Sequence, residues 1–372
     1  QKDQDFGLVS RGVTVTTVKV IGAGSIGNHL AHGCRQKGWD VTIVDLSPEA
    51  LERTKNTIYP DRYGAWDPSI TLASPSDLAG KYFDIVIVGT PPASHLAIAT
   101  AELEETSPRL LLIEKPLAHP DRETIKQFIQ KAEQSPTRVL VAYNQRHKPN
   151  THKFLEVAAS PSLGKLTGLS SHMLESWDGI LKAHFWMGSE KDSYLAFSEQ
   201  GGGALLEHSH ALNLFLHFAA ELGHGAATRV DASMDWVDHE SGRYDRDTSM
   251  TITMESGLTG EVRQDLHTWP AQKKAVATFE NGSVTWLMGD SSDRVSLSSS
   301  DGTEIESWDF PKTRPDDFLG EISHLEDLLA HPSNASSLDL EHGIVVMEVA
   351  LAAMVSSSSG GPADVVSLRD SA

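Results

Sequence analysis

The sequence predicts two domains: an α/β domain with a doubly wound parallel sheet, then an α+β domain built on an open, mostly antiparallel sheet. The 372 residues exceed the length of one ordinary domain. In the first part of the chain, unbroken apolar runs alternate with helical patterns, which is typical of parallel strands covered on both faces. Later runs look like half-exposed antiparallel strands. We therefore divide the chain into residues 1–145 and 146–372.

The first domain is predicted from short apolar runs and from helical periodicity. The predicted strands are 18–21, 41–45, 85–88, 110–113 and 139–143, and the predicted helices are 26–37, 48–58, 95–104 and 122–133. Strands that alternate with helices in this way indicate βαβ units.

The second domain is predicted to expose one face of its sheet and to pack the other. The predicted strands are 166–174, 248–253, 257–264, 275–279 and 283–287, with a hairpin turn at Asn281-Gly282. Helices are expected at 316–329 and 340–354, ending near a surface loop at 356–362.

Charge and composition exclude several classes of partner. The formal net charge is -20, with 51 acidic against 31 basic residues and no basic cluster, so we expect neither nucleic acid nor membrane partners. No apolar run approaches the roughly 18 residues that span a bilayer. The single cysteine, Cys34, precludes an intrachain disulfide and fits a buried position and a reducing, cytoplasmic location. The chain begins at Gln1, which leaves open a removed leader or tag.

A glycine motif predicts a dinucleotide site. Gly22, Gly24 and Gly27, with Ser25 and Ile26 between them, follow the first strand and open the first helix, as a pyrophosphate-binding Rossmann loop requires. Asp45 ends the second strand, where its carboxylate can bind ribose hydroxyls and repel a 2′-phosphate, so NAD is favoured over NADP. The alternative role for Asp45 is to cap the next helix.

Two further segments carry candidate catalytic groups. Glu114-Lys115-Pro116 follows an apolar strand, so Lys115 enters the crevice at the carboxyl end of the sheet; the alternative is a surface lysine paired with Glu114. In the helical stretch after Gly201-Gly202-Gly203, positions 207 and 210 share a face. Glu207 could therefore support His210 as a base, with His208 as the fallback. The alternative for His210 is a core histidine.

Together with Thr90-Pro91-Pro92-Ala93-Ser94-His95 and Tyr143-Asn144-Gln145-Arg146, these motifs resemble the Gfo/Idh/MocA oxidoreductases in the same order along nearly the whole chain. The resemblance implies that Lys115, preceding a cis proline, and His210 are catalytic. It also implies that Thr90, Pro91, His95, Glu114 and Asn144 line the cofactor, and that the open sheet forms a homodimer or homotetramer. Glu207 departs from the Asp that the family usually has four residues before the His, and Asn213 stands where a subset has Asp.

The segment before the glycine run suits a carbohydrate or cyclitol, because it mixes aromatic and polar residues. It contains Trp177, Asp178, His184, Phe185, Trp186, Lys191 and Tyr194. Arg146 and Lys191 could bind a carboxylate or phosphate, or be exposed charges in loops. Asp265 and His267 are weaker candidates for the same pocket, and we predict no metal site.

Three functions remain open at this point. The first is an NAD-dependent dehydrogenase that acts on a CH–OH group of a sugar, sugar derivative or cyclitol. The second retains NAD and cleaves a glycosidic bond by transient oxidation and elimination. The third is a non-catalytic sensor of NAD and sugar, like the galactose-pathway co-repressor that resembles these enzymes; Lys115 and His210 argue against it.

Overall fold

The computed structural model describes residues 15–182 and 185–369, except for the side chain of residue 180. Its first sheet contains β1 (Thr17–Ile21), β2 (Asp40–Val44), β3 (Thr71–Ala73), β4 (Ile85–Val88), β5 (Leu110–Ile113) and β6 (Arg138–Val141). They lie in the order β3-β2-β1-β4-β5-β6, and every neighbouring pair is parallel. This confirms the doubly wound sheet. Only β3 was not predicted, because three residues are too few to show a period.

Helices cover this sheet as predicted. They are α1 (Ser25–Gln36), α2 (Pro48–Arg53), α3 (Tyr59–Tyr63), α4 (Pro92–Glu105) and α5 (Arg122–Gln134). Ser47 caps α2 by accepting from the Ala50 amide, and Asp121 caps α5 by accepting from two amides. The predicted helix 48–58 is interrupted, since a π-helical turn at Thr54–Ile58 separates α2 from α3.

The second sheet has nine strands. They are β7 (Leu166–Leu174), β8 (Ala227–His239), β9 (Gly242–Met254), β10 (Thr259–Asp265), β11 (Gln272–Phe279), β12 (Gly282–Leu287), β13 (Ser292–Ser299), β14 (Glu304–Pro311) and β15 (Ala363–Asp364). Their order is β14-β13-β12-β11-β7-β10-β9-β8-β15. Only β7 and β10 pair in parallel among these strands, so the mostly antiparallel prediction is confirmed. The prediction missed β8 and β13 to β15.

The predicted hairpin at Asn281-Gly282 joins β11 to β12, but its loop is displaced by one residue. Phe279 pairs with Gly282, so Glu280 and Asn281 form the loop and Gly282 begins the strand. A Cβ at Gly282 would lie 2.4 Å from the Ser298 carbonyl oxygen of β13, which gives this glycine a packing role in the sheet.

The helices of the second part are α6 (Pro149–Ala158), α7 (Trp177–Lys182), α8 (Ala204–Glu207), α9 (His210–Glu221), α10 (Asp316–Ala330) and α11 (Leu340–Ser359). The stretch after the glycine run, expected to be one helix, is thus divided into α8 and α9. The expected loop at 356–362 is wrong in its first half, because α11 continues to Ser359 and ends at Gly360 in the left-handed region, with φ 71°.

Helix α10 returns to the first domain. A Cβ at Gly33 of α1 would lie 3.0 Å from Ile322, and the His29 ring stacks on Phe318 with 4.7 Å between centroids. Asn144 also donates to the Asp317 carbonyl at 3.0 Å. Residues late in the chain therefore complete the packing of the first domain. The domain boundary between residues 145 and 146 stays a prediction.

One helix among the described residues, α11, is long and apolar enough to cross a membrane. Half of its apolar window is buried inside the protein, and Ile344, Val346 and Met347 are fully buried in the core. Core helices commonly meet the same criteria, so this is weak support for a membrane span. The cytoplasmic location stays a prediction.

Candidate functional site

The glycine loop leaves space where a pyrophosphate would bind. Gly22 has φ +110°, and a Cβ there would lie 2.6 Å from the Gly89 carbonyl oxygen, so only glycine lets the loop pass the neighbouring strand. A Cβ at Gly27 would lie 2.0 Å from the Gly22 oxygen, whereas one at Gly24 would meet no atom within 4 Å. No acidic residue occupies the first turn of α1. The N-terminus of this helix therefore fits an anion.

Asp45 and an arginine support this loop. The Asp45 carboxylate accepts from the Ala23 amide at 2.8 Å and from the Ser47 amide at 2.9 Å, so it holds the glycine loop and the turn into α2 together. Arg62 donates to the carbonyl and the hydroxyl of Ser25, each at 2.7 Å. Sequence analysis missed Arg62, because nothing in α3 marks its side chain as reaching the loop. Ile26 is half-buried beside it.

The segment after β4 contains two predicted cofactor residues at the carboxyl edge of the sheet and one that is buried beneath it. Thr90 accepts from the Ser94 hydroxyl at 2.8 Å, and Pro91 is exposed before α4. His95 is fully buried, with its ring nitrogens 2.6 Å from the Thr90 oxygen and 3.0 Å from the Pro116 oxygen. Burial lowers the pKa of His95 to about 4. His95 therefore positions these loops, and its expected place along the cofactor stays a prediction.

Buried polar atoms collect beyond the end of β5. Burial raises the pKa of Glu114 to about 7, against the opposing effect of Lys115. The Asn144 side-chain oxygen has no hydrogen-bond partner among the described residues, nor does either carboxyl oxygen of Glu321. Such atoms are costly to bury alone, so they fit a site that a polar ligand completes. With the glycine loop, this makes the crevice suitable for a dinucleotide.

Lys115 crosses from the first domain to the second. The peptide bond to Pro116 is cis, as the resemblance implied. The Lys115 ammonium donates to the Glu207 carbonyl at 2.7 Å and lies 3.4 Å from its carboxylate. The Tyr194 hydroxyl donates to the other carboxylate oxygen at 3.0 Å. The pairing of Lys115 is therefore with Glu207, in place of the surface pair with Glu114.

The prediction that Glu207 and His210 share one face of a single helix is wrong. Ser209 donates its amide to the Leu206 carbonyl, and Ala211 donates to His208, so the chain tightens into i to i+3 bonds between α8 and α9. The Tyr143 hydroxyl donates to the Ser209 hydroxyl at 3.2 Å across this break. Glu207 consequently contacts Lys115 and Tyr194, and His210 begins a new helix.

His210 begins α9 with a buried, neutral imidazole. Its ring meets Tyr143 edge to face, with 5.6 Å between centroids, and its Nδ1 is buried without a partner among the described residues. Burial, followed by the positive charge of Lys115, holds the pKa of His210 well below its usual range. The imidazole is therefore neutral at pH 7, which is the form that a general base starts from, while the lowered pKa weakens it as a base.

His208 shares this environment. Its Nε2 is also buried without a partner in the described part of the chain, and burial lowers its pKa while Glu207 and Glu175 oppose the change. His208 and His210 are therefore both buried, neutral imidazoles with an unpartnered ring nitrogen among the described residues, as a candidate base requires.

Asp245 anchors the glycine run and was not predicted. Its carboxylate accepts from the Leu205 amide and from the Thr248 hydroxyl, each at 2.7 Å, and so fixes the start of α8. A Cβ at Gly203 would lie 2.0 Å from the same carboxylate. Burial raises the pKa of Asp245 to about 7. The three glycines could have pointed to a close neighbour, but not to which residue it is.

The predicted substrate residues divide into two groups. Trp177 packs edge to face on Tyr244 at 5.6 Å, its indole nitrogen buried without a partner among the described residues, and with Tyr194 it joins the small apolar cluster next to α8. Trp186 lies farther out, against the Arg53 guanidinium at 4.9 Å. Lys191 is exposed, Phe185 is 54% exposed, and His184 lies outside the described residues.

Arg146 is buried, so the alternative of an exposed loop charge is wrong, while its contact with an anionic substrate stays a prediction. Its side chain is buried and donates to Asn213 at 2.9 Å and to the Ser337 carbonyl at 3.0 Å. Burial lowers its pKa to about 10. Asn213 thus belongs to this buried pair.

Asp265 and His267 do lie at the same edge of the second sheet. The Asp265 carboxylate accepts from the amides of His267 and Thr268. His267 is half-exposed, 3.3 Å from Asp247, and ligand atoms of these three side chains fall within 4.8 Å of one another. Exposed acidic groups often meet in this way without a metal, so the cluster alone assigns nothing.

The first domain matches a known family of oxidoreductases. Residues 16–143 match the model of the Gfo/Idh/MocA oxidoreductase family, described as an NAD-binding Rossmann fold. No curated protein matches the chain.

Solved structures extend the likeness of fold to almost the whole chain. A levoglucosan dehydrogenase complexed with NADH superposes with a TM-score of 0.74 at 17% identity, covering 95% of this chain and 99% of its own. The WlbA dehydrogenase from Bordetella pertussis, complexed with NADH and UDP-GlcNAcA, gives 0.68 at 18% identity with the same coverage. A putative myo-inositol dehydrogenase from Sinorhizobium meliloti 1021 gives 0.70 at 15%, covering 95% and 100%. Residues 16–143 are therefore similar to the NAD-binding Rossmann domain of the Gfo/Idh/MocA oxidoreductases.

Proposed function

We propose that the protein is an NAD-dependent dehydrogenase that acts on a secondary hydroxyl of a sugar, sugar derivative or cyclitol. The observation that supports this is that Lys115, at the carboxyl end of β5, binds Glu207 three residues before the buried His210, next to the segment that matches the NAD-binding domain. The sugar-related neighbours in fold favour the same substrate class.

In this proposal, one set of residues binds the cofactor and another set moves the proton. Gly24, Ser25 and Asp45 would hold the pyrophosphate and ribose, with Thr90 and Pro91 along the same edge. Bound NAD would supply the hydride acceptor at its nicotinamide ring. His210 would take the hydroxyl proton, and the Lys115 ammonium would donate a hydrogen bond to the oxygen as negative charge develops.

Glu207 and Tyr194 position the lysine in this proposal. Glu207 holds the ammonium through its carbonyl and its carboxylate, and Tyr194 fixes that carboxylate from the other side. This arrangement would orient Lys115 before substrate enters, which lowers the cost of organising the reacting groups. Trp177 would offer its indole face to the sugar.

The test uses Lys115→Met and His210→Gln, with Lys131→Met as the control because Lys131 forms an exposed ion pair with Glu104. NADH formation is followed by absorbance over neutral sugars, cyclitols, sugar acids and nucleotide sugars. Both site variants should lose about a hundredfold or more in turnover while still binding NAD, and the control should not.

Near-normal turnover in both site variants would remove these residues from the mechanism. Tight retention of NAD with substrate cleavage, and no release of NADH, would instead support the redox-neutral elimination. Binding of NAD and sugar with no turnover across the whole panel would support a sensor.

A further inference from the structure

An arginine of the first domain follows the glycine loop closely in space. Arg53 ends α2, and the next residue, Thr54, is fully buried. The Thr54 hydroxyl donates to the Ala23 carbonyl of the loop at 2.8 Å and accepts from the Asn28 side-chain amide at 3.2 Å. The backbone of Arg53 is therefore one residue away from a direct contact with the loop that fits a pyrophosphate.

A tryptophan from the second part of the chain holds the Arg53 side chain. The Trp186 ring centroid lies 4.9 Å from the guanidinium carbon. The next residue, Met187, packs on the small apolar cluster next to α8, to which Tyr194 also belongs. Tyr194 in turn donates to Glu207, on the far side of the crevice from β5. The Arg53 side chain thus extends from the first domain toward the part of the second domain that faces the crevice.

Two contacts therefore join the domains across the crevice. Lys115 binds the Glu207 carbonyl at the carboxyl end of β5. Arg53 meets Trp186 beside the loop that follows β1, and β1 lies between β2 and the β4-β5 pair. A dinucleotide with its adenosine ribose at the end of β2 and its nicotinamide at the end of β5 places its pyrophosphate at β1. Arg53 is therefore on the side of the pyrophosphate.

The guanidinium of Arg53 has donors to spare in the described part of the chain. Its Nε is buried without a hydrogen-bond partner there, and its terminal nitrogens form no hydrogen bond or ion pair with a described residue. By contrast, Arg35 of α1 donates to the Asp67 carboxylate at 2.9 Å. Contact with a ring face uses none of the five N–H donors of a guanidinium. Trp186 therefore fixes the arginine while leaving its charge and its donors for a ligand.

We propose that Arg53 binds the pyrophosphate of NAD from the side that faces the second domain, and that Trp186 positions Arg53 for this contact. The glycine loop and the N-terminus of α1 would hold the same group from the first domain. A guanidinium offers phosphate oxygens a planar fork of charged donors, which makes this contact strong. This inference rests on the NAD site of the proposed function.

The experiment separates the pyrophosphate from the rest of the cofactor. Binding of NAD, ADP-ribose and adenosine is measured by isothermal titration calorimetry, with adenosine followed by competition. Arg53→Met should weaken NAD and ADP-ribose by about tenfold or more and leave adenosine unchanged, because only the first two carry the pyrophosphate. The NAD affinity of this variant should also depend less on salt. Lys55→Met removes a charge from an exposed position nearby and should change none of these values.

Two substitutions of the tryptophan test its positioning role. Trp186→Phe keeps a ring face and should retain most of the affinity for NAD, whereas Trp186→Ala should lose several-fold. In the Arg53→Met background, Trp186→Ala should cost little more, since the residue that it positions is already absent. Equal further losses with and without Arg53 would overturn this role.

The outcomes also distinguish the inference from the proposed function. Unchanged NAD and ADP-ribose affinity in Arg53→Met, or an equal loss for adenosine, overturns the inference while the dehydrogenase function stands. A loss confined to the KM of a nucleotide sugar overturns it as well, because the arginine would then bind substrate. A protein that shows the expected binding pattern but forms no NADH from any sugar or cyclitol overturns the proposed function and leaves the inference standing.

Discussion

The Asp45 carboxylate holds the glycine loop in place, and we propose that it also binds the ribose of the dinucleotide. Its oxygens accept from the Ala23 and Ser47 amides, which fixes the glycine loop, and the same group would meet the ribose hydroxyls of a dinucleotide. The structure shows a turn contact before α2, whose cap is Ser47, and the ribose contact stays a prediction.

Asp45→Ala should weaken NAD binding and reduce discrimination against NADP, because it removes both the loop contact and the charge that repels a 2′-phosphate. Asp45→Asn keeps an acceptor without the charge, so it should relax discrimination with a smaller loss of NAD affinity. Binding constants for both cofactors, measured by fluorescence titration, check this. Equal affinity of the unmutated protein for NAD and NADP would contradict the assignment.

For single residues, the sequence predicts which side chains carry the chemistry better than it predicts which distant residues surround them. Lys115 was placed at the crevice because it ends a buried strand, a local feature. The surroundings of His95 and Arg146 could not be predicted, because they come from distant segments: the Pro116 loop for His95, and Asn213 and Ser337 for Arg146. A pattern within one sequence does not show which distant segments will pack against a given residue.

Among elements, the short helix α8 depends on the close approach of the glycine run to β9. Gly203 has φ +86°, and Asp245 fills the space where its Cβ would lie. The helix carries Glu207, so a shift of its first turn would displace the residue that holds Lys115.

Gly203 also has ψ 170°, which places it in a positive-φ region that is essentially restricted to glycine. Gly203→Ala should therefore destabilise the protein by more than the roughly 1–3 kcal/mol that such a backbone costs alone, and should lower turnover as well. Gly38→Ala is the matched control, since Gly38 has φ +74° and a methyl group added there would meet no atom within 4 Å. Chemical denaturation of the two variants measures the difference. Equal losses would show that Asp245 yields to the new methyl group at little cost.

The division between α8 and α9 explains why helix periodicity failed here. The segment 204–218 is apolar enough to predict one helix, and Glu207 and His210 then share a face. The break depends on Tyr143 reaching Ser209 from another domain, which no local period reveals. By contrast, both ends of β7 were predicted correctly. This strand is paired on both sides, with β11 along its whole length and with β10 along most of it.

For the molecule as a whole, many imidazoles are buried and neutral. Burial is the largest cause lowering the pKa of His29, His32, His95, His147, His172, His208, His210, His217, His324 and His342. Fewer carboxyls have the opposite property: burial raises the pKa of Glu114, Asp245, Glu321 and Glu348.

The protein should consequently lose stability as the pH falls from about 7 to about 5, since the unfolded chain takes up more protons than the folded one below the ordinary histidine pKa of about 6.5. The raised carboxyls act in the opposite direction but are outnumbered. Thermal melts at constant ionic strength, with recovery on return to neutral pH, measure the effect. A melting temperature that stays level or rises on acidification would contradict it.

The first sheet could be predicted at the scale of the molecule because each βαβ unit is local in sequence. The return of α10 could not, since its contacts with α1 join residues almost three hundred positions apart. Assembly through the open sheet, expected from the family resemblance, stays a prediction that light scattering would test.

That return has a practical consequence for anyone who wishes to exchange cofactor modules between related enzymes. A graft cut at the end of the matched segment would leave Gly33 without the Ile322 side chain that packs on it and His29 without the Phe318 ring. A transplantable unit would therefore be discontinuous, because it needs the α/β portion together with α10, which lies almost three hundred residues later in the chain.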